Sequence, residues 1–379
     1  MASDRVVIVG GGILGTMHAV EACSRGWEVL HLEADAGPRR ASVRNFGLVW
    51  VSGRSPGREL DLALRSRILW EQLATDVPGI GFRPDGSVTV ARHPAELSLM
   101  SEVVGRSDAS ARSFELLDAA GVRSVNAAIR GELAGGLLCR VDAVVEPEAA
   151  LGALRTTLEK TGAYRWIPGR QAIDVEVGAA GGAVVIDHTG QRHPGSLAIL
   201  CIGDRRTGVG GRVGAAVQDA PLRRCRLQMM ETAACAEVLT TALADGDSLR
   251  YYPAFDVPGR SALLPAGPEI AAWNMQLLLV QRADGTLTIG DTHNYDEPFD
   301  YAVQQDPYDH LADRAEAILG WALPPVVRRW AGVYSLTTDG SIYWSEAVDP
   351  GVVVVTGAAG RGMTLAPAIA ELTWESVSP

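Results

Sequence analysis

The chain has 379 residues, of which 47% are hydrophobic and 21% charged, a composition typical of globular proteins that excludes a disordered chain. The length predicts two domains, and the formal net charge of −11 argues against nucleic acid as a partner. The sequence contains no apolar run of about 18 residues, so we expect no membrane span.

The cysteines and the first strand bear on the cellular compartment. The five cysteines are scattered, and no two have CxxC spacing: Cys23, Cys139, Cys201, Cys225 and Cys235. We therefore predict neither a disulfide framework nor a metal site. The first predicted strand starts at Val6, which leaves no room for a signal peptide and favours a cytoplasmic protein.

The most informative segment is the opening strand with the glycine-rich turn that follows it. Four β-branched residues, 6–9, predict a buried parallel strand. Gly10, Gly12 and Gly15 then have GxGxxG spacing. In this pattern the first glycine permits a tight turn, the second a close phosphate approach, and the third close helix packing. The backbone N–H groups at the helix start can hold a pyrophosphate.

The elements after the turn complete a nucleotide-binding unit. A helix is predicted from Ile13 to Arg25, because Gly26 is a favourable residue after a helix end, and a second strand follows over 27–32. Glu33 comes directly after this strand, where its carboxylate can accept hydrogen bonds from a ribose. A carboxylate there would repel a 2′-phosphate, so the unit favours FAD or NAD over NADP.

The rest of the chain alternates further helices and strands around a long polar loop, 34–57. Helices are predicted over 57–76, 94–106, 147–160 and 301–319, with a last one ending at Trp374. Strands are predicted over 171–177, 183–188, 196–202, 223–232, 272–281, 286–291, 328–336 and 351–356, and Asp85-Gly86 and Asp284-Gly285 indicate hairpin turns, the first within 81–92. A second strand–glycine–helix element thus closes the chain, which predicts a cofactor domain built from both chain ends with a substrate domain inserted.

Three segments together resemble the FAD-dependent D-amino acid oxidase superfamily, whose members include glycine oxidase and sarcosine oxidase. They are the opening unit 6–33, the loop 40–47 that is similar to the segment under the flavin, and the ending 357–364 that is similar to the family's closing glycine loop. The segments 41–47, 227–232 and 250–255 look like a subgroup linked to 2-aminoethylphosphonate or its N-methyl relatives.

The resemblance implies an α/β fold in which a Rossmann-like FAD-binding domain carries an inserted, mainly antiparallel β-sheet substrate domain. It assigns 1–80, 141–220 and 335–379 to the FAD-binding domain, and 81–140 and 221–334 to the substrate domain. The implied cofactor-binding residues are Gly10, Gly12, Ile13, Leu14, Gly15, Glu33, Arg40, Ala41, Ser42, Asn45, Phe46, Gly47, Leu48, Val175, Gly203, Gly357, Gly360, Arg361, Gly362, Met363 and Thr364.

Two departures from the sarcosine oxidase pattern bear on the chemistry. The stretch 331–339 has no cysteine where those enzymes attach flavin covalently, so we expect non-covalent FAD. The strand 287–293 has no lysine where those enzymes have one for the reaction with oxygen, and Lys160 is the only lysine in the chain. The electron acceptor is therefore left open between oxygen and another partner.

Flavin amine oxidation moves a hydride from the carbon next to nitrogen to flavin N5, so the protein mainly orients the substrate. An anionic substrate needs a cation, and Arg44 and Arg361 come first because both lie in segments expected near the flavin. Arg223 and Arg250 are further candidates. Tyr251 and Tyr252 can hydrogen-bond a carboxylate or phosphonate, and His293 follows a strand whose end should reach the flavin. We thus predict Arg44, Tyr252, His293 and Arg361 as catalytic residues.

The sequence therefore predicts an FAD-dependent oxidoreductase that oxidises the C–N bond of a small anionic amine to an imine, which water then hydrolyses. The enzyme is expected to be a monomer or a homodimer. Three alternatives stay open: an NAD-dependent dehydrogenase, an aromatic hydroxylase, and a flavin-binding subunit of a larger amine dehydrogenase. The late glycine element at 357–364 argues against the first, and Thr356-Gly357-Ala358, which lacks a Gly-Asp pair, against the second.

Overall fold

The computed structural model describes residues 4–177, 182–300 and 302–377. Its helices are α1 Ile13–Ser24, α2 Arg58–Asp76, α3 Pro94–Val104, α4 Ala119–Val125, α5 Pro147–Glu159, α6 Gly211–Asp219, α7 Ser248–Tyr251, α8 Pro268–Trp273, α9 Asp306–Leu319 and α10 Gly362–Val377. Its strands are β1 Arg5–Val9, β2 Glu28–Leu32, β3 Leu48–Val49, β4 Ser87–Ala91, β5 Phe114–Asp118, β6 Gly135–Cys139, β7 Ala143–Val144, β8 Tyr164–Ile167, β9 Ala172–Val177, β10 Ala183–Asp187, β11 Arg192–Gly195, β12 Leu197–Leu200, β13 Leu222–Thr232, β14 Ala242–Ala244, β15 Leu278–Gln281, β16 Leu287–Gly290, β17 Val326–Thr337, β18 Trp344–Asp349 and β19 Val352–Thr356.

The opening strand lies in the middle of a sheet whose order, within the described residues, is β18-β19-β12-β1-β2-β8. All pairs in it are parallel except β18 with β19. Alternate residues of β1 face opposite sides: Val6 and Ile8 pack with α1 and α10, whereas Val7 and Val9 pack with α6 and β10. Both faces are therefore buried, which is why this strand is a continuous apolar run.

The middle of the chain supplies most of a second sheet, with the order β17-β13-β16-β15-β14-β4-β6-β5 in the described residues. Its pairs are antiparallel except β14 with β4. Helix α9 covers one face, where Leu311, Ala315 and Ile318 share a core with Met230 and Ile289. The predicted α/β fold with a mainly antiparallel sheet is confirmed.

Two predicted elements differ from the structure. The segment 81–92 is not a hairpin: only β4 forms, between β6 and β14, while Arg83 makes an isolated bridge to Val144. A Cβ at Gly86 would meet the Cys139 carbonyl oxygen at 2.8 Å, so this turn packs against β6 and does not return the chain alongside β4. By contrast, Asp284-Gly285 does connect the antiparallel strands β15 and β16.

The second difference concerns the predicted strand 272–281. Pro268 is at the first position of helix α8, which ends where Asn274 adopts a left-handed conformation, and the strand begins only at Leu278. The helix predicted over 301–319 begins at Asp306, and Tyr301 lies outside the described residues. None of the helices in the described ranges combines the length and apolar character needed to cross a bilayer.

Candidate active site

A cleft with a volume of about 530 Å³ runs between the two large sheets. One part of its lining follows the carboxyl ends of β1, β2, β12 and β19, and includes Gly10, Glu33, Gly203 and Gly357. The other part comes from the eight-stranded sheet. Open α/β sheets bind ligands at the carboxyl ends of their strands, so the cleft lies where the fold places a ligand.

The glycine turn after β1 leaves no room for larger residues. Gly10 has a φ of +102°, and a Cβ on it would meet the Cys201 carbonyl oxygen at 2.2 Å. A Cβ at Gly15 would meet the Gly10 carbonyl oxygen at 1.9 Å. The turn therefore brings the backbone at the start of α1 against the cleft, as a pyrophosphate requires.

Backbone donors fix the carboxylate that follows β2. Glu33 Oε2 accepts a hydrogen bond from Gly11 N at 2.6 Å, and its Oε1 accepts one from Asp35 N at 2.9 Å. Each carboxylate oxygen retains a further lone pair. Glu33 lines the cleft, so these remaining lone pairs suit ribose hydroxyls.

The loop that begins at Arg40 closes over the glycine turn. Ser42 Oγ accepts a hydrogen bond from Ile13 N at 2.9 Å, and Arg40 pairs with Asp204 at 3.0 Å. Arg282 donates to the carbonyl oxygens of Asn45 and Phe46, each at 2.8 Å. Sequence reasoning missed Arg282, because nothing near it in the sequence connects β15 with a loop more than 230 residues earlier.

The structure brings most of the predicted cofactor residues to one cleft. Its lining includes Gly10, Gly12, Ile13, Leu14, Gly15, Glu33, Arg40, Ala41, Ser42, Asn45, Phe46, Leu48, Gly203, Gly357, Gly360, Arg361, Gly362 and Met363. Within the described chain, Gly47, Val175 and Thr364 are not among the lining residues. Strand β9 contributes Ala172 to the lining, and Val175 lies three residues further along the same strand.

Two of these three residues have positions that support the lining. A Cβ at Gly47 would meet the Val145 carbonyl oxygen at 2.0 Å, and Gly47 has a φ of +70°. Thr364 Oγ1 accepts from Trp50 N at 2.9 Å and donates to the Leu48 carbonyl oxygen at 3.2 Å. Thr364 therefore joins the start of α10 to the strand β3.

A set of polar side chains in the cleft, here named the polar cluster, is connected by direct contacts. Its members are Arg54, Glu59, Tyr251, Tyr252, Gln276, Asp291, His293 and Arg361. Of the predicted catalytic residues, Tyr252, His293 and Arg361 belong to it. Arg44 also lines the cleft, but its Nη1 donates to the Ala331 carbonyl oxygen at 2.7 Å, outside the cluster.

Two arginines share one carboxylate in the polar cluster. Arg54 Nη1 and Arg361 Nη1 each lie 3.5 Å from Glu59 Oε1. Burial raises the pKa of Glu59, but the two guanidinium groups and the hydrogen bond from Ser55 outweigh burial, so the net pKa is lowered. The three side chains therefore carry one excess positive charge.

Aromatic rings and acceptors complete the cluster. Tyr251 stacks on His293 with ring centroids 4.3 Å apart, and Tyr252 Oη accepts from Gln276 Nε2 at 3.1 Å. Burial raises the pKa of Tyr252, so its hydroxyl stays protonated at neutral pH. The polar cluster thus contains a net positive charge, tyrosine hydroxyl groups that can donate hydrogen bonds, and two stacked rings.

Four cluster members were missed from the sequence: Arg54, Glu59, Gln276 and Asp291. Arg54 and Glu59 lie at the entry to α2 with no motif to mark them. Gln276 falls within the segment that was wrongly predicted as a continuous strand. Of the other arginine candidates, Arg223 lies over the Tyr295 ring at 4.2 Å, and Arg250 pairs with Asp247 at 3.2 Å.

The fold and the cleft together are those of a dinucleotide-binding protein in which a second, polar region lines the same cleft. A family model described as FAD dependent oxidoreductase (DAO) matches residues 5–375, so the chain belongs to this family. The match confirms the predicted family, the FAD cofactor and the class of FAD-dependent oxidoreductase. It also decides against the NAD-dependent alternative.

Individual proteins are similar to part of the chain or share its fold. The chain is 30% identical over 172 residues to one of the subunits of opine oxidase from Rhizobium meliloti, a match that covers 42% of this chain and 46% of that protein. It therefore spans about half the length of the curated relatives it matches. Two solved structures share its fold: glycine oxidase from Geobacillus kaustophilus (TM-score 0.78, 20% identity, 98% and 94% of the two chains) and L-proline dehydrogenase from P. horikoshii (0.80, 15%, 99% and 93%).

The residues present fit FAD. The glycine turn suits the pyrophosphate, and the open lone pairs of Glu33 suit the ribose. At the other end of the chain, the helix α10 begins at Gly362, and residues 360–363 line the cleft. N–H groups at a helix N-terminus stabilise negative charge, so residues 360–363 would suit the charge that a bound flavin gains on reduction.

Proposed function

We propose that this enzyme uses FAD to oxidise the C–N bond of a small anionic amine, giving an imine that water hydrolyses. The observation that carries the proposal is the excess positive charge of Arg54, Arg361 and Glu59 within the cleft. A carboxylate or phosphonate of the substrate would complete the charge balance of this group. Guanidinium groups suit such anions because they donate paired hydrogen bonds.

The chain's own residues would bind and orient the substrate. FAD supplies the hydride acceptor when it is bound. Arg361, with Arg54 behind it, would hold the anion, and the Tyr252 hydroxyl would donate or accept a hydrogen bond. Arg54 and Tyr252 are only 5% and 8% exposed, so solvent would screen their interactions with the bound anion only weakly.

Two structural expectations belong to this proposal. The FAD-binding domain would comprise 1–80, 141–220 and 335–379, and the substrate domain 81–140 and 221–334; the distribution of strands between the two large sheets supports this division. FAD would be held without a covalent bond. Burial raises the pKa of the Cys201 thiol in the cleft, which disfavours the thiolate that a covalent link needs.

Anaerobic flavin reduction tests the proposal directly. The purified holoenzyme is mixed with glycine, sarcosine, 2-aminoethylphosphonate and N-methyl-2-aminoethylphosphonate, with ethylamine as a control that lacks the anion. We expect bleaching of the flavin by at least one anionic amine and none by ethylamine. A flavin that none of the four reduces would refute the proposal, and equal reduction by ethylamine would remove the anion requirement.

Arginine variants then test which arginine binds the anionic group of the substrate. Arg361→Ala should raise KM for the amine at least tenfold with little change in FAD content, because one excess positive charge is lost. Arg44→Ala tests the sequence prediction for Arg44, which is that KM rises far more than FAD content changes. Unchanged kinetics in Arg44→Ala would remove Arg44 from the substrate site.

A second candidate function is a flavin-binding subunit of a larger amine dehydrogenase. The partial similarity to a protein named as a subunit of an opine oxidase favours it. The chain would then be reduced by an amine but reoxidised by a partner and not by oxygen. Stopped-flow mixing of the reduced chain with oxygen distinguishes the cases: fast reoxidation supports an oxidase, and slow reoxidation supports a subunit or dehydrogenase.

A further inference from the structure

Asp142 and Asp291 are both deeply buried, and they differ in their hydrogen bonds. Asp142 accepts from Val51 N, Ser52 N and the hydroxyls of Ser52 and Ser87 at 2.6–3.0 Å. Asp291 is 6% exposed, and its Oδ1 has no hydrogen-bond partner among the described residues. Asp142 is thus fully engaged in holding the fold, whereas Asp291 lines the cleft with unused acceptor capacity.

The neighbour of Asp291 adds a second acceptor. His293 Nδ1 lies 3.0 Å from the Asn274 carbonyl oxygen, which can only accept, so this ring nitrogen carries the proton. In the neutral ring, Nε2 is therefore an acceptor, and it lies 3.7 Å from Asp291 Oδ2. This separation is longer than a hydrogen bond, so neither of the two acceptor atoms is engaged by the other.

The other groups around Asp291 do not supply a proton to its carboxylate. Gln276 Nε2 is directed to Tyr252, while Gln276 Oε1 is a further acceptor that has no partner in the described part of the chain. Burial raises the pKa of Asp291, and the nearby His293 and Gln276 only partly offset this. Tyr251, Tyr252 and Cys225 face the same carboxyl, and burial raises the pKa of all three, so they remain neutral.

We propose that the Asp291 carboxylate receives the ammonium group of the substrate and takes its proton. One substrate N–H bond breaks and one O–H bond forms on Asp291. The electron pair stays on nitrogen, so the amine becomes neutral and its C–H bond can lose a hydride. Asp291 is thereby a catalytic residue of the proposed amine oxidation, on which this inference rests.

Binding of unreactive analogues tests the inference in the holoenzyme without turnover. 2-Aminoisobutyrate and 2-amino-2-methylpropylphosphonate have no hydrogen on the carbon next to nitrogen. Trimethylacetate and 2,2-dimethylpropylphosphonate match them in shape but carry a methyl group in place of the ammonium. The affinity of each analogue is read from the change in flavin absorbance. The ratio of the affinity of the amine analogue to that of its methyl analogue then gives the contribution of the ammonium group to binding.

Asp291→Asn should lower this ratio about 10- to 100-fold, the range for losing a hydrogen bond to a charged group. Asp284→Asn is the matched control: it removes the same charge from the exposed turn of the same hairpin, and the ratio should not change. In reduction experiments, the rate of Asp291→Asn should rise about tenfold per pH unit up to the pKa of the free amine. Wild-type reduction should level off at lower pH.

An unchanged ratio or an unchanged pH profile in Asp291→Asn would overturn the inference. If this variant loses FAD, infrared difference spectra of the wild-type holoenzyme still test the proton transfer to Asp291. A protonated-carboxyl band should appear with the bound amine analogue and not with the methyl analogue, and its absence would overturn the proton transfer. Failure of the proposed function itself is distinguishable, because wild-type flavin would then be reduced by none of the four amines.

Discussion

The Glu59 carboxylate should have two effects: it stabilises the buried Arg54 and Arg361, and it opposes the binding of an anion beside them. Replacement of Glu59 by glutamine tests both. Glutamine keeps the shape and can still accept the hydrogen bond from Ser55 N, which is 3.1 Å long in the wild type. It removes the negative charge that lies 3.5 Å from both Arg54 and Arg361. The variant should therefore be less stable and bind anions more tightly.

The distances give the magnitudes. At 3.5 Å and an effective dielectric constant of about 20, each pair contributes roughly 5 kcal/mol of gross Coulomb attraction. Desolvation offsets part of this, and loss of one partner from a buried pair costs about 3–5 kcal/mol. We expect a loss of about 3 kcal/mol in the free energy of unfolding. At the same dielectric constant, a carboxylate about 10 Å from a bound anion would repel it by roughly 1.7 kcal/mol. Removal of the Glu59 charge should therefore raise anion affinity at least tenfold.

The assays are urea unfolding of the holoenzyme and titration with trimethylacetate. Glu371→Gln is the control, because Glu371 pairs with Arg65 at the surface and its loss should cost no more than about 1 kcal/mol. A Glu59→Gln protein with wild-type stability and wild-type anion affinity would refute the assigned charge balance. Weaker anion binding would show that Glu59 supports the arginines and does not compete with the anion.

Three further predictions concern the cofactor end and the pH dependence. Gly10→Ala should yield protein without FAD by absorbance, because the new Cβ would meet the Cys201 carbonyl oxygen at 2.2 Å. Glu33→Ala should weaken FAD binding by about 10- to 100-fold in apoprotein titration, from loss of charge-assisted ribose hydrogen bonds. Because burial raises the pKa of Asp291 above its unfolded value, ionisation opposes folding as pH rises. Asp291→Asn should gain melting temperature relative to wild type as the pH rises above about 4, the pKa range of an aspartate in an unfolded chain, and a constant difference would contradict this.

The glycine turn after β1 was predictable because its constraints are local. A Cβ at Gly10 or Gly15 would collide with a backbone carbonyl oxygen, so the turn requires glycine at both positions. Such a requirement is visible in the sequence as glycines at a fixed spacing. The polar cluster has no such spacing, since Glu59 and Arg361 meet across 302 residues. Asp291 resembled an ordinary strand end, and only its missing hydrogen bonds in the folded chain distinguish it from Asp142.

The contacts of Arg282 have a consequence for cooperative unfolding. Its guanidinium joins the carbonyl oxygens of Asn45 and Phe46 to the β15–β16 hairpin, where its Nε also donates to Thr288 at 2.8 Å. The loop 40–47 cannot move away from the hairpin without breaking these hydrogen bonds of Arg282. Amide hydrogen exchange in the hairpin should therefore slow when FAD binds, although the hairpin turn at Asp284 is outside the cleft lining that the structure describes.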